Sequence, residues 1–306
     1  MSFLSILFAL LIEQARPLNP VNAVHARVRD WLLWVVRQTD TGEGRHAWMT
    51  WAVVALVPAL LSAAVHWALW LAFGWLAALA WNVTVLYWTL GFRQFSHHFT
   101  GIRDALEEGD EDTARTLLAQ WMRLDASDLR RSEIVRQVIV HSMLSAHRYV
   151  FGVFAWYSLL SAFGLGPAGA VLYRIAEYFS VTVQRPVTAN SVLMSAALRR
   201  WVQHTWSVID WAPARITALF FAFVGSFEEA IDRWRKYELH RPGDNDGIVL
   251  AASAGALNVQ LATDDLDGAA PAAQTAHLRS VVGLVWRTVV MWMVILALLS
   301  LARLLG

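Results

Sequence analysis

The feature that most constrains this chain is a long interval without a charged side chain. No Asp, Glu, Lys or Arg occurs between Arg45 and Arg93. A helix of that length would run roughly 70 Å, whereas the hydrocarbon core of a bilayer is roughly 30 Å thick. The interval therefore predicts a transmembrane hairpin with spans at about 48–67 and 74–91 that turns near Gly74. The alternative is a pair of buried helices in a soluble core.

The composition favours the membrane interpretation. Of the 306 residues, 57% are hydrophobic and only 16% are charged, whereas a soluble domain is about 25% charged. Tryptophan concentrates at membrane–water interfaces, and six of the 17 tryptophans lie near the predicted span ends: Trp48, Trp51, Trp67, Trp70, Trp75 and Trp88. The net charge of +1 gives no indication of a nucleic-acid partner, and the absence of cysteine excludes disulfides and thiolate chemistry.

Four further apolar segments extend this pattern. The segment 3–12 is short and lacks the features of a signal peptide, so it predicts a retained anchor. The segment 149–173 is interrupted by glycines and a proline, and it is either one kinked span or two half-helices that re-enter the membrane. The segments 207–227 and 281–301 predict further spans. The predicted fold class is all-α: a polytopic helical integral membrane protein with amphipathic cytoplasmic helices.

The polar segments divide the chain into regions. The predicted regions are an N-terminal apolar segment and interfacial helix (1–47), the transmembrane hairpin (48–91), a cytoplasmic helical region (92–148), and a membrane region (149–306) with a polar loop at about 228–279. The interfacial helix covers about 24–36. Within the cytoplasmic region, helices are predicted at 101–108 and 112–123, broken at Gly109, with Asp110 as a candidate N-cap.

The distribution of basic residues predicts the topology. The segments 13–45 and 93–148 contain five and eight Lys or Arg residues, and the turn of the hairpin contains none. The positive-inside rule therefore places both segments in the cytoplasm. The same rule does not decide whether 149–173 and 207–227 cross the membrane or re-enter it.

Two charged residues lie inside the apolar segment 207–227. An ionisable side chain at membrane depth usually faces a cavity, a partner or a ligand, and a guanidinium suits phosphate or carboxylate. Asp210 and Arg215 are therefore candidate ligand-binding residues, together with Arg148 and Arg174, which flank apolar segments. The alternatives are that these charges lie at the interface or that Asp210 and Arg215 pair with each other.

The sequence predicts no metal site and no catalytic residue. The adjacent His97 and His98 would point to different faces of a helix. The chain contains no GxxxxGK[ST] phosphate loop, no HExxH motif and no GxSxG motif. The cofactor is left unassigned.

Four segments in order along the chain carry a family resemblance. They are 105–115 (ALEEGDEDTAR), 124–136 (LDASDLRRSEIVR), 213–219 (PARITAL) and 251–261 (AASAGALNVQL). They are similar to motifs of the CobD/CbiB family, the membrane-bound adenosylcobinamide-phosphate synthases. The resemblance implies an ATP-dependent, amide-forming ligase of cobalamin biosynthesis that joins adenosylcobyric acid to an aminopropanol compound. It also implies carboxylates that hold the metal of Mg-ATP.

The sequence departs from that family in its acidic residues. No Asp or Glu occurs from Ile134 to Ala176, where the family carries an E..AEN..DG motif. Trp206 and Ser207 stand in place of the paired aspartates of the family's DDxxNxxPAR motif, and Asp210 stands in place of its asparagine. Carboxylates that the synthase reaction needs are therefore missing.

A related group of proteins also lacks these acidic residues and resembles the chain in other segments. AmpE, an inner-membrane protein associated with β-lactamase induction, has segments similar to Ile209–Arg215, His147–Phe151 and Leu11–Glu13. This resemblance implies a multi-pass protein of the bacterial inner (cytoplasmic) membrane. Its expected partners are the lipid bilayer and an anionic or phosphorylated small molecule near Arg215. The first hypothesis is an AmpE-like accessory or signalling protein without synthase activity, and the alternative is a synthase-like enzyme of cobalamin biosynthesis.

Overall fold

The computed structural model describes residues 2–16, 23–42, 44–122, 125–184, 194–261 and 272–305. Within these ranges the chain is helical and has no β-strand, only an isolated bridge between Gln260 and Ala272. The helices are α1 (Ser2–Ala15), α2 (Ala23–Thr39), α3 (Gly44–Phe73), α4 (Trp75–Thr89), α5 (Phe92–Glu108), α6 (Glu111–Met122), α7 (Arg131–Ala146), α8 (Gly152–Ala162), α9 (Ala168–Gln184), α10 (Ala196–Val224), α11 (Phe227–His240), α12 (Asn245–Leu257) and α13 (Thr275–Leu305).

Several of these helices are long and apolar enough to cross a membrane. In the described part of the chain they are His46–Phe73 in α3, Arg131–Ala162 in α7 and α8, Ala196–Val224 in α10, and Thr275–Ala302 in α13. The shorter α1 is also apolar. These helices confirm the predicted fold class, an all-α polytopic membrane protein.

The candidate span through α7 and α8 begins earlier than the sequence predicts. A π-helical turn, His147–Phe151, joins α7 to α8, so the helix continues through Arg148 without a break. Residues 131–148 were predicted as part of a cytoplasmic region, yet they form the first part of this helix. From its charge, Arg148 was expected to mark the end of a membrane span. The π-helical turn instead keeps the helical hydrogen bonds of the backbone continuous through Arg148.

The chain divides into two compact units. The first unit comprises residues 1–90 and 152–212, and the second comprises 91–151 and 213–306. The first boundary lies between α4 and α5, the second directly after the π-helical turn, and the third inside α10, directly before Pro213.

In the first unit, α3 and α4 form a helical hairpin at the predicted position, and of these two described helices α3 is the one long and apolar enough to cross a membrane. A single residue, Gly74, separates the two helices, and its φ of 79° lies in the left-handed region that glycine adopts without strain. The first helix is longer than the predicted span 48–67, because it continues to Phe73 and contains Pro58 without ending there. The predicted turn at Gly74 is confirmed.

The turn between α8 and α9 divides the apolar segment 149–173 into two helices. Two glycines of this turn have a positive φ: Gly164 and Gly166. The helices run antiparallel, because Gly152 faces the ring of Tyr173 and Gly169 faces the backbone of Trp156. A Cβ atom at Gly169 would lie 2.0 Å from the carbonyl oxygen of Trp156. The two backbones therefore approach as closely as glycine allows.

We expect Gly169→Ala to lower the free energy of unfolding by about 1–3 kcal/mol, because the added methyl group forces α8 and α9 apart. Thermal unfolding of the detergent-solubilised protein measures this loss. Gly283→Ala in α13 is the matched control, since a Cβ atom there meets nothing within 4 Å and alanine favours a helix. Equal stability of the two variants would contradict the close approach.

In the second unit, α5 and α6 form a hairpin at the predicted break. The first helix ends at Gly109, whose φ is 84°. Asp110 starts the next helix, because its carboxylate accepts hydrogen bonds from the hydroxyl of Thr113 at 2.6 Å and from the backbone N–H of Thr113 at 3.0 Å. These two hydrogen bonds lower the pKa of Asp110 from its usual value. The predicted capping role of Asp110 is confirmed.

The segment 228–279, predicted as a polar loop, is largely helical in the residues that the structure describes. It contains most of α11, all of α12 and the start of α13. The first two of these helices pack closely, because a Cβ atom at Gly255 would lie 2.4 Å from the carbonyl oxygen of Glu229. The charges of α11 obscured its helical character in the sequence. Most of the Asp- and Ala-rich run 263–276 within this segment lies outside the described residues.

Candidate ligand-binding site

The candidate site of the second unit is built around the start of α12. Asp244 caps this helix by accepting a hydrogen bond from the backbone N–H of Gly247 at 3.0 Å. The hydroxyl of Tyr237, on α11, donates to the other carboxylate oxygen of Asp244 at 2.5 Å. A Cβ atom at Gly247 would lie 2.1 Å from that hydroxyl, so glycine is required for the contact. The cap therefore fixes the first turn of α12 against α11.

The pKa of Tyr237 reflects this position. Burial raises it, and the hydrogen bond to Asp244 and the negative charge of that carboxylate raise it further, to about 12. The phenol therefore stays protonated at neutral pH and keeps its hydrogen-bond donor.

Arg215 contacts the first turn of α12 from α10. Its Nη1 donates to the side-chain oxygen of Asn245 at 3.2 Å, and its Nη2 donates to the carboxylate of Glu238 on α11. The second oxygen of that carboxylate accepts from the indole N–H of Trp234 at 3.0 Å. Asn245 is buried. The guanidinium is thus oriented by groups from both α11 and α12.

Arg148 contacts the same turn of α12 from the π-helical turn. Its Nη2 donates to the carboxylate of Asp246. The neighbouring His147 is fully buried and shares a hydrogen bond of 3.0 Å with the hydroxyl of Thr217. Because π-helical turns frequently occur at functional sites, this irregularity marks the position of Arg148 independently of its charge.

The contacts bring Arg148 and Arg215 to two adjacent residues, Asp246 and Asn245. We call Arg148, Arg215, Glu238, Asn245 and Asp246 the arginine cluster. The first turn of a helix presents backbone N–H groups and the positive end of the helix dipole. Two guanidiniums beside such a turn are suited to a carboxylate or a phosphate group.

The other two predicted site residues lie in the first unit. Asp210 is fully buried and accepts a hydrogen bond from the hydroxyl of Tyr173 at 2.7 Å. Arg174 donates to the buried carboxylate of Glu177 at 2.9 Å. The structure therefore gives Asp210 a tyrosine partner, whereas the alternative interpretation of the sequence paired it with Arg215.

Sequence reasoning missed the partners of the two arginines. Asn245 and Asp246 follow Asp244 at the start of an apolar run, which is a helix-start signal. Reading the whole segment as a polar loop hid that signal. Glu238 offers no local signal, because it meets Arg215 only after α10, α11 and α12 have packed.

The carboxylates of the cluster do not form a metal site. Asp246 and Glu238 each bind an arginine, and in the described part of the chain no group of three or more His, Asp or Glu side chains is placed to hold a metal ion. A metal ion held by carboxylates therefore does not fit this cluster.

Comparisons with known proteins identify similar chains. A family model described as CobD/Cbib protein matches residues 3–183. A protein of Stutzerimonas stutzeri (strain A1501) named cobalamin biosynthesis protein CobD is 26% identical over 318 residues, which cover 96% of each chain. A protein of the same name from Chromobacterium violaceum is 30% identical over 188 residues, 58% of this chain and 54% of its own length. No solved structure matches the chain.

Proposed function

Because the chain belongs to the CobD/CbiB family, we propose that it acts in cobalamin biosynthesis as a synthase-like protein of the bacterial inner membrane. The observation that carries the proposal is the similarity to a protein named for cobalamin biosynthesis across 96% of both chains. That similarity supports the synthase-like alternative better than the AmpE-like hypothesis. The chain lacks acidic residues that the family carries in two of its motifs. We therefore expect it to differ from the synthases in how it holds the nucleotide and its metal.

The arginine cluster supplies the substrate contact of this proposal. Amide formation joins a carboxylate to an amine. In the synthases that the sequence resembles, the amine belongs to an aminopropanol compound. Arg148 and Arg215 bind and orient an anionic group of the substrate at the first turn of α12. Tyr237 stays protonated and keeps the cap of that turn in place.

The exposures of the ion pairs indicate how an anionic group enters. The side chain of Glu238 is 38% exposed and that of its partner Arg215 is 16% exposed. Asp246 is likewise more exposed than Arg148. The carboxylates can therefore turn toward solvent while the less exposed guanidiniums remain, and an incoming carboxylate or phosphate takes their place. Until then the two acids neutralise the charges of the arginines.

Complementation tests the proposal. The gene is expressed in a bacterium that lacks its cobinamide-phosphate synthase, and the cells are fed cobyric acid and grown under conditions that require cobalamin. We expect growth. A strain that carries the empty vector is the negative control, and a membrane blot verifies insertion. No growth with protein present in the membrane would reject the synthase-like function and favour the accessory hypothesis.

A further inference from the structure

A cavity of about 290 Å³ lies in the first unit, beside the hairpin of α3 and α4. Its lining is mainly apolar and comes from these two helices, from α9 and from Val28 of α2. Leu61 lines the cavity and is also 63% exposed. Because α3 is one of the candidate membrane spans, the exposed part of Leu61 would be accessible to lipid.

The cavity extends along the hairpin, away from its turn. Since α3 and α4 are joined at Gly74, residues at equal sequence distance from this glycine lie at the same level. Val65 and Trp81 line the end nearer the turn, roughly 11–14 Å away from it. Pro58 and Thr89 line the other end, roughly 23 Å away.

The end far from the turn carries charge. In the turn of α9 before Arg174, Val171 and Leu172 pack against Ala59 and Ala63 of α3. The following residues of α9 share a core with Val54 and Ala55 of α3: Ile175 and Phe179. Arg174, which lines the cavity, is therefore level with the Pro58–Thr89 end. Its partner Glu177 is only 4% exposed, so the ion pair is held firmly at this position.

Two apolar helices of the first unit, α1 and α4, end near that level, whereas α3 continues past it to Gly44. The hydroxyl of Tyr87 donates to the carbonyl oxygen of Arg16 at 2.7 Å, so α1 and α4 end at the same level. Both helices are followed by polar sequence. The distance from Gly74 to this level is most of the hydrocarbon core of roughly 30 Å, so a lipid headgroup beside the ends of α1 and α4 would lie near the edge of that core.

We propose that the cavity binds one acyl chain of an anionic phospholipid, with the headgroup phosphate at Arg174. The apolar lining between Leu61 and Trp81 takes the chain. A guanidinium has five N–H donors in a fixed fork, so Arg174 can hold Glu177 and a phosphate together. Glu177 orients the fork. This lipid site shares no residue with the arginine cluster, and its test does not involve cobalamin biosynthesis.

Lipid retention measured by native mass spectrometry tests the lipid site. The full-length protein in detergent is given equal amounts of phosphatidylglycerol and phosphatidylcholine with the same acyl chains. We expect the wild-type protein to retain phosphatidylglycerol about fivefold over phosphatidylcholine. Arg174→Gln should remove this preference. Val85→Trp, which fills the cavity lined by Val85, should reduce retention of both lipids.

Two further variants make the outcome decisive. Glu177→Gln removes a negative charge beside the phosphate and keeps a side-chain oxygen that can accept from Arg174, so it should raise the preference for phosphatidylglycerol. Arg29→Gln is the control, because Arg29 is an exposed arginine of α2 that pairs with Asp30 outside the cavity. It should behave as wild type. Equal retention of the two lipids by the wild-type protein, or an unchanged preference in Glu177→Gln, would overturn the proposal.

Discussion

Arg215→Ala should abolish growth in the complementation assay while the protein still reaches the membrane in normal amounts. The guanidinium is 16% exposed and bridges Glu238 and Asn245. Removing a largely buried charge that binds an anionic substrate costs about 2–5 kcal/mol, which weakens binding by more than tenfold. Growth and the affinity of the purified protein for cobyric acid, followed by its absorbance, are the two measurements.

Matched variants separate substrate binding from folding. Arg103→Ala removes an arginine of the same unit that pairs with its chain neighbour Asp104, and it should grow as wild type. Glu238→Gln should keep growth and tighten binding, because the amide no longer competes with the substrate for Arg215. Wild-type growth of Arg215→Ala would show that Arg215 only anchors α10. If Arg215 had only a structural role, Glu238→Gln would not tighten the binding of cobyric acid.

The elements that the sequence predicted correctly are governed by local signals. The turn at Gly74 and the break at Gly109-Asp110 depend on a glycine with positive φ and on a capping carboxylate. Each of these acts over a few neighbouring residues, so one sequence suffices to find it. The apolar runs that became α3 and α13 are equally local, because their length and lack of charge are read directly.

The features that the sequence did not predict depend on packing. The apolar segment was predicted to begin at residue 149, because an arginine such as Arg148 commonly marks the end of a span and a π-helical turn has no sequence signature. The pairing of Arg215 with Glu238 joins α10 to α11, and no spacing rule predicts a contact between two helices. The candidate ligand-binding residues could be named individually, whereas their division between the two units required the fold.

The partner of Asp210 also depends on packing. The sequence marked it as a costly charge at membrane depth and offered Arg215 as its partner. The structure provides Tyr173, whose hydroxyl donates to the carboxylate, and the ring of Trp206 lies 5.2 Å from that tyrosine ring. Asp210 and Tyr173 are both fully buried. Because water does not reach this buried position, it cannot replace the hydroxyl of Tyr173 as the hydrogen-bond donor to Asp210.

We expect Tyr173→Phe to lower the free energy of unfolding by about 2–3 kcal/mol, because it removes a hydrogen bond to a buried carboxyl group and leaves the shape of the core unchanged. Thermal unfolding in detergent measures the loss. Tyr178→Phe, on the same helix, is the control: its ring lines the cavity of the first unit and is only partly buried, so a small change is expected. In the background of Asp210→Leu, Tyr173→Phe should cost much less, because the acceptor is gone. An equal cost in both backgrounds would contradict a direct Tyr173–Asp210 hydrogen bond as the source of the stability.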